Sequence, residues 1–421
     1  MRGDGVESAD STGSGWGVGV ETTPMDSGLR AGGTGAGRRA RQIPIPGSCL
    51  VSCFPLTSGH GHAVELLRDL GLFQNTAYFK IRRRDSESGY TTVITDVLRL
   101  GTPAAFLSLF FPSQWSRYVR HFQLVHYTSP HFFHLVKYNP NATGTVHDLI
   151  FLDKSTHNLR DTPIGTRFFF PRVMKFSERL KGVVTISHSV DRQLRTMFPR
   201  VNSRVIHHWT SYAFTPRNRL EARKQLGLPP GRKILLHVGI DNERKNIDIL
   251  PKIVNALDDS FLLVRIGDSR RIEARFRADR FVWSGAIPPS AYPLYFNAAD
   301  VVLMPSRAEG FGRPIIEALN SMTPVVGSNI DVFREILGDS YPFLENPDDE
   351  NAWVTATREA WETAQSVSRC QGIYSRLLDY YRPERGLREF LAFYDDLDLL
   401  SSSNSTIGPP PSRASPVRAY E

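Results

Sequence analysis

Hydrophobic positions show almost no periodicity over residues 1–46, which are rich in Gly, Ser, Thr and Arg and predict a disordered segment. From Ile43 the pattern changes. Ser48-Cys-Leu-Val-Ser-Cys53 predicts a first strand, and Ala63-Val-Glu-Leu-Leu-Arg-Asp-Leu70 has helical spacing. Between them lies Pro55-Leu-Thr-Ser-Gly-His-Gly-His62, so the fold opens as strand, glycine loop and helix. Gln123–Thr128, Gly144–Ile150 and Gly182–Ser187 predict further strands with polar carboxyl ends. A helix follows from Ser189 with Val190, Leu194 and Met197 on one face, and Val205-Ile206 closes the set. Strands alternating with helices imply a parallel sheet covered on both faces.

Pro216, Pro229, Pro230 and Gly231 mark residues 216–231 as a linker. A second set of strands follows at Ile234–Val238, Phe261–Ile266, Phe281–Trp283, Val301–Met304 and Val325–Val326. Tyr374 to Leu397 reads as mostly helix with a break at Pro383, and the Ser/Pro-rich residues 401–421 predict a disordered tail. The expected fold class is α/β with two Rossmann-like domains, 47–215 and 232–370, followed by helices over 371–400. A chain of 421 residues suffices for two such cores.

The densest chemistry lies after the apolar run Asp300-Val-Val-Leu-Met-Pro305, in Glu309-Gly-Phe-Gly-Arg-Pro-Ile-Ile-Glu317. Gly310 and Gly312 let the backbone approach a ligand closely. Pro314 suits a first helical turn, where its missing N–H costs nothing. Free N–H groups at such a loop, backed by a helix dipole, favour an anion. Glu309 and Glu317 bracket that site and can accept from sugar hydroxyls. A phosphate site flanked by hydroxyl acceptors suits a nucleotide-sugar. The plainer reading is an ordinary strand–loop–helix unit. Upstream, Ile234-Leu-Leu-His-Val-Gly239 runs into Ile240-Asp-Asn-Glu-Arg-Lys-Asn246. Arg244 and Lys245, just past a glycine turn at a strand's carboxyl end, are well placed to hold a diphosphate.

These segments closely resemble family 4 of the retaining glycosyltransferases, the group 1 glycosyltransferases. The Glu-x7-Glu stretch, its flanks through Ser306 and over Thr323–Asn329, and the Gly239…Arg244-Lys245-Asn246 element carry the resemblance. Asp331-Val-Phe-Arg-Glu-Ile-Leu-Gly338 with Asp339, Thr145-Val-His-Asp-Leu149 and Ser187-His-Ser189 add to it. The resemblance spans roughly Ser48 to Leu397 and implies a GT-B fold, two Rossmann-like domains facing across a cleft, with terminal helices crossing back to the first. It implies that Arg244 and Lys245 stabilise the leaving diphosphate, with Gly239 and the Gly310–Arg313 loop, Phe311 and Gly312 included, at the donor. Glu309 would read sugar hydroxyls, Glu317 ribose hydroxyls, and His147 the transferred sugar. Asp148, with Gly59 and Gly61, would face the acceptor, although these glycines also read as simple turn formers. Arg313 departs from the family, where an apolar residue is commoner.

The implied function is retaining transfer of a hexose, with a tilt to mannose, from a GDP- or UDP-linked donor to a glycan or glycolipid hydroxyl. No cofactor and no metal are implied, and no Asp-x-Asp motif serves this site. A glycogen- or sucrose-type synthase on the same fold and a non-catalytic nucleotide-sugar binding protein are the alternatives. Net charge is +8, and between Arg160 and Lys245 there are 18 Lys/Arg against 6 Asp/Glu. An anionic membrane surface, a phosphorylated acceptor or nucleic acid could match that excess. No nucleic-acid module is visible, so nucleic acid is not expected as a partner. Phe106–Phe111 beside Trp115, Arg117 and Arg120 suits an interfacial membrane segment and a buried element equally. With no apolar run of 18 residues, no secretory core and three unpatterned cysteines, a cytoplasmic location is expected, with peripheral membrane contact.

Overall fold

The computed structural model describes residues 20–21, 44–52, 67–80, 91–94, 114–149, 152, 164–211, 213–285, 287–365, 374, 377 and 380–400. The chain forms two sheets. The first contains β1 (Val20–Glu21), β2 (Ile45–Ser52), β3 (Phe73–Lys80), β4 (Thr91–Ile94), β5 (Leu124–Tyr127), β6 (Ala142–Val146), β7 (Gly182–Thr185) and β8 (Ser203–Val205). Their order is β1-β4-β3-β2-β5-β6-β7-β8, parallel except for β1 on β4. The second contains β9 (Lys233–Val238), β10 (Phe261–Ile266), β11 (Phe281–Trp283), β12 (Val301–Met304) and β13 (Val325–Gly327). It is parallel throughout, in the order β11-β10-β9-β12-β13. Fully parallel sheets are buried on both faces, which is why β12 reads as an unbroken apolar run and β10 as one interrupted only by the buried Arg265.

Each sheet carries one apolar core per face. On one face of the first sheet, Val125, Val146 and Val183 pack with Phe133, Val173 and Met174. The other face is closed by the end of the chain. The helix Pro383–Asp396 lays Phe390, Phe393 and Tyr394 against Leu50, Leu124, Val184 and Trp209. One polar cluster sits inside this seam. His126 is fully buried, and its ring nitrogens meet the hydroxyls of Thr143 (3.0 Å), Thr145 (2.8 Å) and Tyr394 (3.0 Å). Burial lowers the His126 pKa to about 3, so the ring is neutral and hydrogen-bonds without a charge to solvate.

The stretch expected to be a bare linker, 216–231, is structured. Its prolines bracket the helix Arg219–Gln225, which buries Ala222 and Arg223 against the second sheet. Arg219 and Arg223 both donate to Asp300, at 2.7 and 2.5 Å, and Asp300 also accepts from the Ile234 amide (2.7 Å). The crossing itself is the short segment between β8 and that helix. The segment 1–46, expected to be disordered, supplies β1 and the start of β2. Strands β3 and β4 carry too mixed a pattern, as in Phe-Gln-Asn-Thr-Ala-Tyr-Phe-Lys, to stand out in the sequence. Gly59, Gly61 and Phe106–Phe111 lie outside the described residues. Among the described residues, no helix is long and apolar enough to cross a membrane.

Candidate active site

In open parallel sheets, ligands bind beyond the carboxyl ends of the strands. Beyond β9, the Asn242 side chain accepts from the Lys245 amide (3.1 Å) and caps the turn Glu243–Lys245. Asn246 then takes a left-handed conformation (φ 49°), which asparagine tolerates better than most side chains. Its amide donates to Pro347 O (2.9 Å), and its carbonyl oxygen accepts from Arg307 (3.1 Å). The Arg307 amide in turn donates to Arg244 O (2.7 Å). The loops after β9 and β12 are therefore fastened together, and their side chains meet.

That meeting point is Glu309. One carboxylate oxygen accepts from Lys245 and from the Ser306 hydroxyl (2.7 Å), the other from Arg244 (2.9 Å). The Glu309 side chain is only 8% exposed. Burial works to raise its pKa, but the charges of Lys245 and Arg244 and the bonds from Lys245 and Ser306 outweigh it and bring the value to about 2. The group is an anion clamped by two cations, with a surplus positive charge that suits a diphosphate. Gly239 leaves room for this, since a Cβ there would press on Lys245 Cδ and Cε and on His237 Cε1, each at 3.3 Å.

The depressed pKa has a measurable consequence. An unfolded glutamate titrates near 4.5, so Glu309 contributes its full stability above that pH and loses it as pH falls toward 2. The span corresponds to about 3 kcal/mol. Glu309→Gln is expected to flatten stability versus pH between about 4.5 and 2 in denaturant titrations. Parallel curves for the two proteins would refute the ionised clamp.

Glu317 lies in the helix Arg313–Asn320 with a side chain 2% exposed. Its oxygens accept from Tyr292 (2.7 Å) and Arg313 (3.0 Å). Burial and the nearby Glu317 charge raise the Tyr292 pKa well above its ordinary range, so the phenol stays a donor. A ribose reaching Glu317 has to share these oxygens or displace Arg313. Gly312 caps the helix at φ 101°, where a side chain would be strained and would also strike Phe333.

The first domain meets this loop directly. Ser187 caps its helix through the Val190 amide (3.1 Å), and its hydroxyl donates to Gly310 O (2.8 Å). A Cβ on Gly310 would overlap the His147 carbonyl oxygen and crowd Asp148 Cβ. His147 directly follows β6, is 8% exposed, bonds Thr128 O through Nε2 (2.9 Å) and stacks on His208 (5.5 Å between centroids). Phe311 is buried among His207, His208 and Tyr381. Arg244, Lys245 and Glu309 are thus in contact, and Gly310, His147 and Asp148 meet across the cleft. Ser306, Tyr292, His208 and the Ser187–Gly310 bond were missed from sequence. Ser306 alone left a signal, as a hydroxyl three residues before Glu309.

Known proteins resemble this chain in sequence and in fold. Residues 218–371 match the family model described as glycosyl transferases group 1. The O-antigen chain mannosyltransferase RfbU of Salmonella typhimurium is 26% identical over 252 residues, 58% of this chain and 67% of that protein. The 2-deoxystreptamine N-acetyl-D-glucosaminyltransferase of Streptomyces fradiae is 30% identical over 185 residues, 38% of this chain and 44% of that protein. The chain thus spans less than half of this second relative. Sucrose-phosphate synthase from Thermosynechococcus elongatus superposes with a TM-score of 0.70 at 20% identity, over 85% of this chain and 99% of that one. The architecture is GT-B. The residues that match the group 1 glycosyltransferase family, 218–371, are those that hold Arg244, Lys245, Glu309 and Glu317.

Proposed function

We propose that the protein is a retaining hexosyltransferase that moves a sugar, mannose in the first instance, from a GDP- or UDP-linked donor to a hydroxyl of a glycan or glycolipid. The observation that carries this reading is the clamp of Arg244 and Lys245 on Glu309 beside Gly310. An arriving diphosphate takes over the two cations, whose charge then meets the charge that grows on the leaving group. Glu309, released from them, turns to the sugar hydroxyls. Glu317 accepts from the ribose once Arg313 yields. His147, fixed by Thr128 O, faces the transferred sugar. The chemistry calls for no metal or cofactor at this site. The likeness to RfbU and to the N-acetylglucosaminyltransferase, both sugar transferases, supports the reaction class.

A synthase of the sucrose-phosphate type shares the architecture, but at 20% identity that likeness bears on fold alone. Peripheral contact at the cytoplasmic face of an anionic membrane belongs to the same proposal. Its support is exposed Arg117 and Arg120 beside the Phe106–Phe111 run. Much of the wider basic excess is engaged elsewhere, since Arg192, Arg195, Arg200, Arg204, Arg219 and Arg223 each face a carboxylate.

The test starts with GDP and UDP in thermal-shift assays. The matching nucleotide at 100 times its dissociation constant should stabilise by about 2.7 kcal/mol. The corresponding nucleotide-mannose should then be hydrolysed slowly without acceptor, releasing sugar whose first-formed anomer keeps the donor configuration by NMR. Anionic vesicles at low salt serve as the membrane arm. No shift with either nucleotide overturns the enzyme reading, inverted product overturns retention, and indifference to vesicles moves the acceptor to a soluble glycan.

A further inference from the structure

A second polar cluster bridges the two domains, apart from the clamp on Glu309. His188 opens the helix His188–Met197 of the first domain, His207 follows β8, and Glu335 belongs to the helix Asp331–Leu337 of the second. One ligand atom from each residue lies within 4.8 Å of the other two. His207 Nε2 is 2.5 Å from Glu335 Oε1, and His207 Nδ1 is 2.7 Å from the Tyr380 hydroxyl. His207 is buried, whereas His188 is exposed, so the cluster has one fixed wall and one side open to solution.

We propose that His188, His207 and Glu335 bind a divalent cation of the zinc class that ties the two domains together. Two imidazole nitrogens and one carboxylate oxygen suit such an ion far better than calcium or magnesium, which prefer oxygen ligands. Bonds of about 2.0–2.2 Å set tetrahedral ligand atoms roughly 3.4 Å apart. The His207–Glu335 pair opens slightly to admit the ion, and the exposed His188 ring swings in to complete the set. Tyr380 supplies the outer support that metal-bound histidines need. With Nε2 on the metal, Nδ1–H donates to the Tyr380 oxygen and fixes ring and tautomer. Burial favours a protonated Glu335, but hydrogen bonds from His207 and the His188 amide prevail and keep its pKa below the ordinary range, so it is ionised. Around the mouth, Asp331 and Asp339 offset Arg192 and Arg334. The site also touches the donor loop, because the His207 ring stacks on Phe311 at 5.8 Å. A bound ion that holds His207 therefore also holds the cleft in this arrangement.

The full chain, stripped with a chelator and dialysed, is titrated with zinc sulfate by calorimetry, with cobalt absorbance as a second readout. The expected result is one ion per chain. Affinity should fall at least tenfold in His188→Ala and about tenfold in Tyr380→Phe, with exposed His121→Ala as an unaffected control. Zinc should raise the unfolding midpoint of the parent protein and not that of His188→Ala. Circular dichroism without metal verifies that each variant folds, and Tyr380→Phe carries the test if His188→Ala does not. No stoichiometric zinc binding by the parent, or unchanged affinity in the variants, overturns the proposal and leaves the cluster a plain hydrogen bond across the junction.

Discussion

Replacing Arg244 and Lys245 together with alanine is expected to lower kcat by at least about 1,000-fold while changing KM much less. Removing a single preorganised donor to a developing anion typically costs about 100- to 1,000-fold, and here two charges leave at once. The charge they meet grows in the transition state, so the loss belongs in kcat. The double variant also strands Glu309, an 8% exposed anion, without its partners. Breaking a buried pair from one side costs about 3–5 kcal/mol, so lost activity could reflect lost structure. The triple variant with Glu309→Gln, measured against Glu309→Gln alone, separates the two effects. It should recover most of the stability and none of the turnover. Turnover that returned with stability would assign the two cations a purely structural role.

Gly310→Ala is expected to be the most damaging glycine-to-alanine change among the described residues. The added carbon meets the His147 carbonyl oxygen, which is backbone and cannot rotate away. Either the donor loop shifts, losing the Ser187 hydroxyl at 2.8 Å, or the two domains separate. A displacement of about 1 Å near reacting groups can cost roughly 100-fold in rate. Overpacking should cost about 1–3 kcal/mol as well. Gly231→Ala is the matched control, because a Cβ there meets nothing within 4 Å. Activity within a factor of about two of the parent for Gly310→Ala would mean that the close approach of loop and first domain does not matter to turnover.

The contrast between these residues shows what a sequence can disclose. Arg244, Lys245 and Glu309 sit in short loops, and Glu317 in the helix just after one, next to strongly apolar strands, and both their spacing and their strand context are local. Periodicity alone located β9, β10 and β12, and the carboxyl ends of β9 and β12 lead into the clamp. Ser187 and Gly310 touch across 123 residues of chain, and nothing local marks either as the other's partner. The same holds for Tyr292 with Glu317, a buried phenol 25 residues upstream. In the first domain, Phe73–Lys80 is a strand because it is placed between β2 and β4, and its own pattern is ambiguous. Residues 216–231 misled for a related reason: the prolines that mark a break in the chain also mark the two ends of a short helix.

The seam between the first sheet and the helix Pro383–Asp396 bears on how the protein is made. During synthesis, the amino-terminal domain leaves the ribosome long before Phe390, Phe393 and Tyr394 exist. Leu50, Leu124, Val184 and Trp209 are then uncovered, and His126 lacks the Tyr394 hydroxyl. The amino-terminal domain is therefore expected to complete its core only when the helix Pro383–Asp396 emerges and docks. Truncation before Pro383 should yield inclusion bodies, even though every residue of the donor site is still encoded.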